Sequence, residues 1–283
     1  MPELPEVETM RRGIAGIAGL RIEAVAFPRS RVRPISILPR PATLAERLRD
    51  RTVAEVHRRG KRIVIEIAPA GDDGQRWLAI EPRMTGLMLL VEPPTPEHVR
   101  MVVEFAGRGR APLIFWDRRG LGTIRLFDDA GLDGACGPHK HGPDGLVVTG
   151  DDLMKRLGAS RRAVKVALLD QRVVAGIGNI YAAEILFRSG IDPRSRCRRL
   201  KRAQWEAIAH QTRRVLAEAV RHEGSSIGDE TYRTADNRAG RFQRRHRVYG
   251  REGERCPRCG AAILRIVQAQ RATFFCPACQ RRA

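Results

Sequence analysis

Four cysteines near the C-terminus are spaced Cys256-x-x-Cys259 and Cys276-x-x-Cys279, with 16 residues between the pairs. Each C-x-x-C puts two thiolates on one tight turn, and a hairpin between the pairs closes a tetrahedral four-thiolate site for one structural Zn2+, a zinc ribbon. Four protein ligands leave no position for water, so such an ion staples a small domain and performs no chemistry. Two disulfides or four free thiols are the alternative. A second reactive group lies at the other end, in Met1-Pro2-Glu3-Leu4-Pro5-Glu6. Removal of Met1 exposes a secondary amine on Pro2, and an N-terminal amine with a pKa near ~8 is partly neutral, hence nucleophilic, at neutral pH. Attack on a sugar C1′ gives an iminium, an electron sink that acidifies the neighbouring carbon, and Glu3 is placed to act as a general acid on the ring oxygen. Taken alone, the same segment also reads as a plain helix lead-in.

The chain has 283 residues and a formal net charge of +20, from 52 basic and 32 acidic side chains. Five of the basic residues are Lys, so part of the charge reflects a general Arg bias. The distribution still points to phosphate, because residues 241–283 hold eleven Arg against two Glu. No run of 18 apolar residues is present, which predicts no membrane span and a cytoplasmic protein. Cys136 and Cys197 lack sequence-local partners and read as plain thiols in a reducing compartment.

The elements that must position these groups follow from periodicity. Residues 5–19 read as a helix, with Pro5 suited to its first turn, Glu6 and Glu8 at the positive dipole end, and Val7, Met10, Ile14 and Ile17 on one stripe. Short apolar or alternating segments follow at 22–27, 62–68, 77–80, 86–91, 100–105, 112–116 and 122–126, the pattern of a β-sandwich. The Gly-, Pro- and Asp-rich stretch 131–150 reads as a hinge, and His139 and His141 within it as solvated. Helical periods then cover 152–157, 161–169, 179–189 and 201–223, and ribbon strands are predicted at 263–268 and 272–275. The fold class is α+β: an N-terminal helix with a β-sandwich (1–130), the hinge, a helical domain (151–242) and the ribbon (243–283).

MPELPEVE at the start, Arg59-Gly60-Lys61-Arg62, Arg83-Met84-Thr85-Gly86, Gly176-Ile177-Gly178-Asn179-Ile180-Tyr181 and Gln270-Arg271-Ala272-Thr273 in the ribbon occur in that order along the whole chain. Together they resemble the formamidopyrimidine-DNA glycosylase family. The resemblance implies a helix-two-turn-helix fold for the helical domain and a base-excision-repair glycosylase with AP lyase activity. Oxidised purines would be the substrate, damaged double-stranded DNA the partner, one structural zinc the metal, and no organic cofactor would be needed. The enzyme is expected to be a bacterial monomer that takes DNA in a basic cleft.

Carried residue by residue, the resemblance makes Pro2 the Schiff-base nucleophile and Glu3 the proton donor. Lys61 serves β-elimination, and Arg271 serves phosphate clamping and δ-elimination. His98, Arg119, Arg161 and Asn179 become DNA contacts, although Arg161 and Arg162 align equally well. Met84 becomes the wedge that fills the place of an extruded base. The chain departs from the family at Asp117-Arg118-Arg119-Gly120-Leu121-Gly122, where Leu121 replaces the intercalating Phe and Gly120 is expected to loosen the loop. It departs again at Glu81-Pro82, where His-Leu is usual. Residues 224–241 occupy the place of the family's lesion-capping loop. Two alternatives stay open: an endonuclease VIII-like enzyme for oxidised pyrimidines, and a non-enzymatic zinc-ribbon DNA-binding protein.

Overall fold

Val7, Met10 and Ile14 recur at helical spacing and are fully buried on one side of the first helix, α1 (Leu4–Ile14). In this computed structural model, which describes residues 2–30, 33–71, 74–228 and 232–283, α1 stops earlier than periodicity predicts. A 3-10 turn continues it over Ala15–Ile17, and Gly19 at φ +82° ends the run. Gly13, Gly16 and Gly19 give the stretch too little helical propensity to stay regular.

After α1 come β1 (Ile22–Ala26), β2 (Ser36–Leu38), α2 (Pro41–Leu48), β3 (Val53–Arg59), β4 (Arg62–Ile67), β5 (Arg76–Glu81), β6 (Gly86–Leu89), β7 (Val99–Phe105), β8 (Leu113–Asp117), β9 (Thr123–Phe127) and α3 (Asp129–Cys136). The strands form a four-stranded sheet, β1-β7-β8-β6, and a five-stranded sheet, β2-β9-β5-β4-β3. All pairings are antiparallel except β2 with β9. Alternation along β4 shows how the sandwich forms. Ile63, Ile65 and Ile67 enter the core shared with Leu78, Phe115 and α1, while Val64 and Glu66 face outward. There Val64 and Ala79 meet Leu132 and Cys136 of α3.

Four elements go beyond those the sequence pattern predicts: α2, β2, β3 and α3. β3 is an edge strand whose Glu55, His57, Arg58 and Arg59 mask the apolar alternation. The start of the predicted hinge is instead helical, because Asp128 caps α3 by accepting from the Gly131 N–H at 2.7 Å.

By contacts the chain forms two units, Met1–Gly137 with His222–Arg241, and Pro138–Arg221 with Phe242–Ala283. The segment 222–241, read from sequence as the end of the helical domain, thus packs with the sandwich. Ser225 N–H donates to Glu6 Oε1 at 2.8 Å, Leu90 N–H donates to the Ala235 carbonyl at 3.1 Å, and Gly13 sits so close to Ala235 that a Cβ would lie 2.5 Å from it. Asp229, Glu230 and Thr231 of the expected capping loop lie outside the described residues.

The second unit contains α4 (Gly150–Leu157), α5 (Val164–Leu168), α6 (Asn179–Ser189), α7 (Arg202–Arg221), β10 (Leu264–Gln268) and β11 (Arg271–Phe275). α4 and α6 pack on α7, with Trp205, Ile208 and Leu216 fully buried. Glu184 of α6 is also fully buried and accepts the backbone N–H groups of Arg247, Val248 and Tyr249 at 2.9–3.0 Å. Burial pushes its carboxyl above the ordinary range despite those bonds.

Candidate functional site

Pro2 and Glu3 are buried where α1 begins, with Glu3 at the N-cap. Glu6 holds this end: its Oε2 accepts the Glu3 N–H at 2.8 Å while its Oε1 takes the Ser225 N–H. One turn further, Glu8 accepts from Arg11, Arg12 and Arg58 at 2.8–3.1 Å. Burial raises the Glu8 carboxyl, but hydrogen bonds from Arg11 and Arg12 and the charges of Arg11 and Arg58 outweigh it and leave it below the usual range. Arg58 then donates to the Gly60 carbonyl at 3.0 Å. Gly60 takes the first position of the β3–β4 turn at φ +58°, where a II′ hairpin requires glycine, and Lys61 follows. The helix that follows Pro2 and Glu3 and the turn that carries Lys61 are therefore joined through Glu8 and Arg58.

Met84, Arg119 and Leu121 come together by a different route. Asp117, the last residue of β8, is fully buried, and its Oδ2 accepts the N–H groups of Leu121 at 2.8 Å and Gly122 at 2.7 Å. Its Oδ1 takes the hydroxyl of Thr85, next to Met84, and Thr85 Oγ1 in turn accepts the Arg119 N–H at 3.0 Å. One carboxylate thus holds both loops and leaves the Arg119 side chain exposed. The expected loosening at Gly120 is corrected. Its φ is +62° and an added Cβ would lie 2.2 Å from the Arg33 carbonyl oxygen, so glycine here serves a tight fit and not freedom. His98 stands apart from this network, its ring edge-on to Trp116 with centroids 5.4 Å apart.

In the second unit Asn179 opens α6 and Arg271 opens β11. They are linked by Lys165, a residue outside every motif named above. Its fully buried ammonium donates to Asn179 Oδ1 at 2.6 Å, Thr273 Oγ1 at 2.7 Å and the Ala272 carbonyl at 3.1 Å. Three donors meet three acceptors, a match that a planar guanidinium cannot make. A signal is present in the sequence: in so Arg-biased a chain, a lysine inside an apolar helix stands out. Asn179 Nδ2 adds a bond to the Ala272 carbonyl at 3.0 Å. Gln171 closes the preceding turn by donating to the Leu169 and Ile177 carbonyls and accepting the Gly176 N–H, each at 2.9 Å.

Arg271 is presented by the β10–β11 hairpin, whose turn residues Ala269 and Gln270 both have positive φ, +46° and +61°, as a I′ turn demands. Arg161 lies outside the Lys165 network and is exposed. Arg162 is committed to Asp170 at 2.9 Å.

The four ribbon cysteines are within 4.8 Å of one another, with sulfur–sulfur distances of 3.9 Å for Cys256 and Cys279 and 3.5 Å for Cys259 and Cys276. A tetrahedral zinc with ~2.3 Å bonds places its sulfurs about 3.8 Å apart, so the set fits one structural Zn2+.

Three family profiles match in sequence. The formamidopyrimidine-DNA glycosylase N-terminal domain covers residues 1–124, the formamidopyrimidine-DNA glycosylase H2TH domain covers 142–231, and the zinc finger found in FPG and IleRS covers 253–282. They define a DNA-repair glycosylase that binds DNA and carries a zinc finger. The formamidopyrimidine-DNA glycosylase of Chloroflexus aurantiacus is 40% identical, over 99% of this chain and 98% of that protein. The crystal structure of MutM (Fpg) from Thermus thermophilus superposes with a TM-score of 0.84 at 35% identity, covering both chains fully. That of Lactococcus lactis Fpg with DNA containing an abasic site gives 0.84 at 31%, over 99% of this chain and all of that one. The chain belongs to the formamidopyrimidine-DNA glycosylase family. Among the described residues no helix is long and apolar enough to cross a membrane.

Proposed function

We propose that this glycosylase excises oxidised purines, 8-oxoguanine and formamidopyrimidines, from double-stranded DNA and then cleaves the abasic strand, acting as a monomer in the bacterial cytoplasm. The observation that carries the reading is the shared mooring of Glu3, next to the buried Pro2, and of the Lys61 turn on α1 through Glu6, Glu8 and Arg58. After loss of Met1, the Pro2 amine attacks C1′ of the damaged nucleotide and the base leaves with the bonding pair. Glu3 protonates the ring oxygen, which opens the sugar and leaves an iminium.

The iminium acidifies C2′. Loss of a C2′ proton, assisted by Lys61, expels the 3′ phosphate, and a second elimination, with Arg271 holding the phosphate, expels the 5′ phosphate. Water then hydrolyses the imine and restores the amine. Met84 and Leu121 fill the vacated stack and Arg119 faces the orphaned base. His98, Arg161 and Asn179 contact the DNA backbone, and the exposed side chain of Arg161 supports it over the Asp170-bound Arg162.

Borohydride trapping tests the reading on duplexes that carry 8-oxoguanine or thymine glycol opposite each base. The expected result is a covalent adduct at Pro2, lost when Met1 is retained and impaired in Pro2→Gly, with faster cleavage of the 8-oxoguanine duplex. Full lyase activity with a blocked terminus overturns the mechanism. Preference for thymine glycol would assign the enzyme to oxidised pyrimidines instead.

A further inference from the structure

Away from these networks, the outward face of the five-stranded sheet carries Glu55 and His57 on β3 and Glu66 on β4, with their ligand atoms within 4.8 Å of one another. Glu55 and Glu66 are direct cross-strand partners, and like charges so placed repel. In a chain of net charge +20 an arginine would be the ordinary remedy. Among the described residues, however, the ion pairs of both carboxylates run only to His57, whose Nε2 lies 2.8 Å from Glu66 Oε2 and 3.8 Å from Glu55 Oε2.

An ion bonded at about 2.1 Å to nitrogen and oxygen holds its ligand atoms about 3.0 Å apart at right angles and about 3.4 Å apart at the tetrahedral angle. The two observed separations bracket those values. Gln75 Nε2 donates to the other oxygen of Glu66 at 2.6 Å and turns Oε2 toward the imidazole, the outer bond that orients a ligating carboxylate. Trp77, the cross-strand partner of Glu66, walls the site with its ring centroid 5.7 Å from that of His57.

We propose that Glu55, His57 and Glu66 form a second metal site, separate from the ribbon, for a divalent ion of the zinc class with water completing its shell. The ion takes the place of the proton between His57 and Glu66 and screens the facing carboxylates. Its ligands bridge the two strands that lead into the Gly60-Lys61 turn, so occupancy stiffens the hairpin that presents Lys61.

The test uses the full chain with its ribbon zinc retained. Zinc titration by calorimetry is expected to show one further, weaker equivalent, with affinity at least tenfold lower in His57→Gln and about tenfold lower in Gln75→Ala. Co2+ is expected to quench tryptophan emission in the parent, and Trp77→Phe to keep the affinity and lose most of the quenching. Absence of any ion beyond the ribbon equivalent overturns the proposal, as does an extra equivalent that binds His57→Gln as tightly as the parent.

Discussion

In the sandwich unit the loops that bear Met84, Arg119 and Leu121 hang on a buried carboxylate, Asp117, whereas in the helical unit Asn179 and the Arg271 strand hang on a buried ammonium, Lys165. The choice of sign follows from what has to be held. Turns expose N–H groups, which only an acceptor can gather. Asn179 Oδ1, the Ala272 carbonyl and Thr273 Oγ1 are oxygens that a donor gathers best. The anionic hub binds the backbone around Arg119 and the cationic hub binds Asn179 itself and the residues that follow Arg271, and both leave the Arg119 and Arg271 side chains exposed.

Removing the cationic hub is the severest way to break the comparison. Lys165→Met strands at least two oxygens, and the expected loss of stability is about 3 kcal/mol. DNA affinity should fall while the ribbon keeps its zinc, as denaturant titration, salt-matched binding and metal analysis will show. Lys165→Arg should fail to rescue it, because the fork does not fit three converging acceptors. Rescue by arginine would mean that charge alone suffices.

Gly120→Ala probes the carboxylate-held loop. A left-handed alanine costs about 1–2 kcal/mol before its contact with Arg33 is counted, so a loss of about 2 kcal/mol or more is expected, with weaker lesion binding. Unchanged stability would show that the Asp117 loop is loose after all. Leu121→Phe restores an aromatic face within the same loop, and lesion-duplex affinity at one fixed salt concentration should tighten by about 1 kcal/mol. Single-turnover strand cleavage at a preformed abasic site should not change. Equal affinities would remove Leu121 from the stack.

The smallest effect concerns Glu8. Its carboxyl is held below the usual range in the folded chain, so its contribution is present above the unfolded value and lost as pH falls through the folded one. Glu8→Gln should cost about 1 kcal/mol at pH 7, and thermal melts of the two proteins should converge as the pH is lowered past the ordinary carboxylate range. A constant gap down to strong acid would mean that the Arg58 link does not depend on the charge of Glu8.

Local signals carry much of this architecture. α6 lies at 179–189 as its period predicts, closed by Gly190 at φ +70°, and the ribbon follows from cysteine spacing with β10 and β11 each within a residue of expectation. β3 escapes the pattern because an edge strand can be polar on most of its length, and α3 because glycine and aspartate in a capped helix resemble a hinge. The motifs mark Pro2, Lys61, Asn179 and Arg271 but not Lys165, nor the roles of Glu6 and Asp117. These three act on groups that the fold brings near, such as Ser225 for Glu6 and Thr273 for Lys165, and no local pattern records such meetings.

At the fingertip of the ribbon, Ala269 and Gln270 are both left-handed without being glycine, a conformation that an unfolded chain rarely samples and that the pairing of β10 with β11 holds in place. Arg271 is therefore delivered on a backbone that is already ordered, and little main-chain entropy remains to be lost when it closes on an anion. Glycine at both turn positions would relieve the strain yet return that freedom, and the difference should appear in the entropy of DNA association more than in its enthalpy.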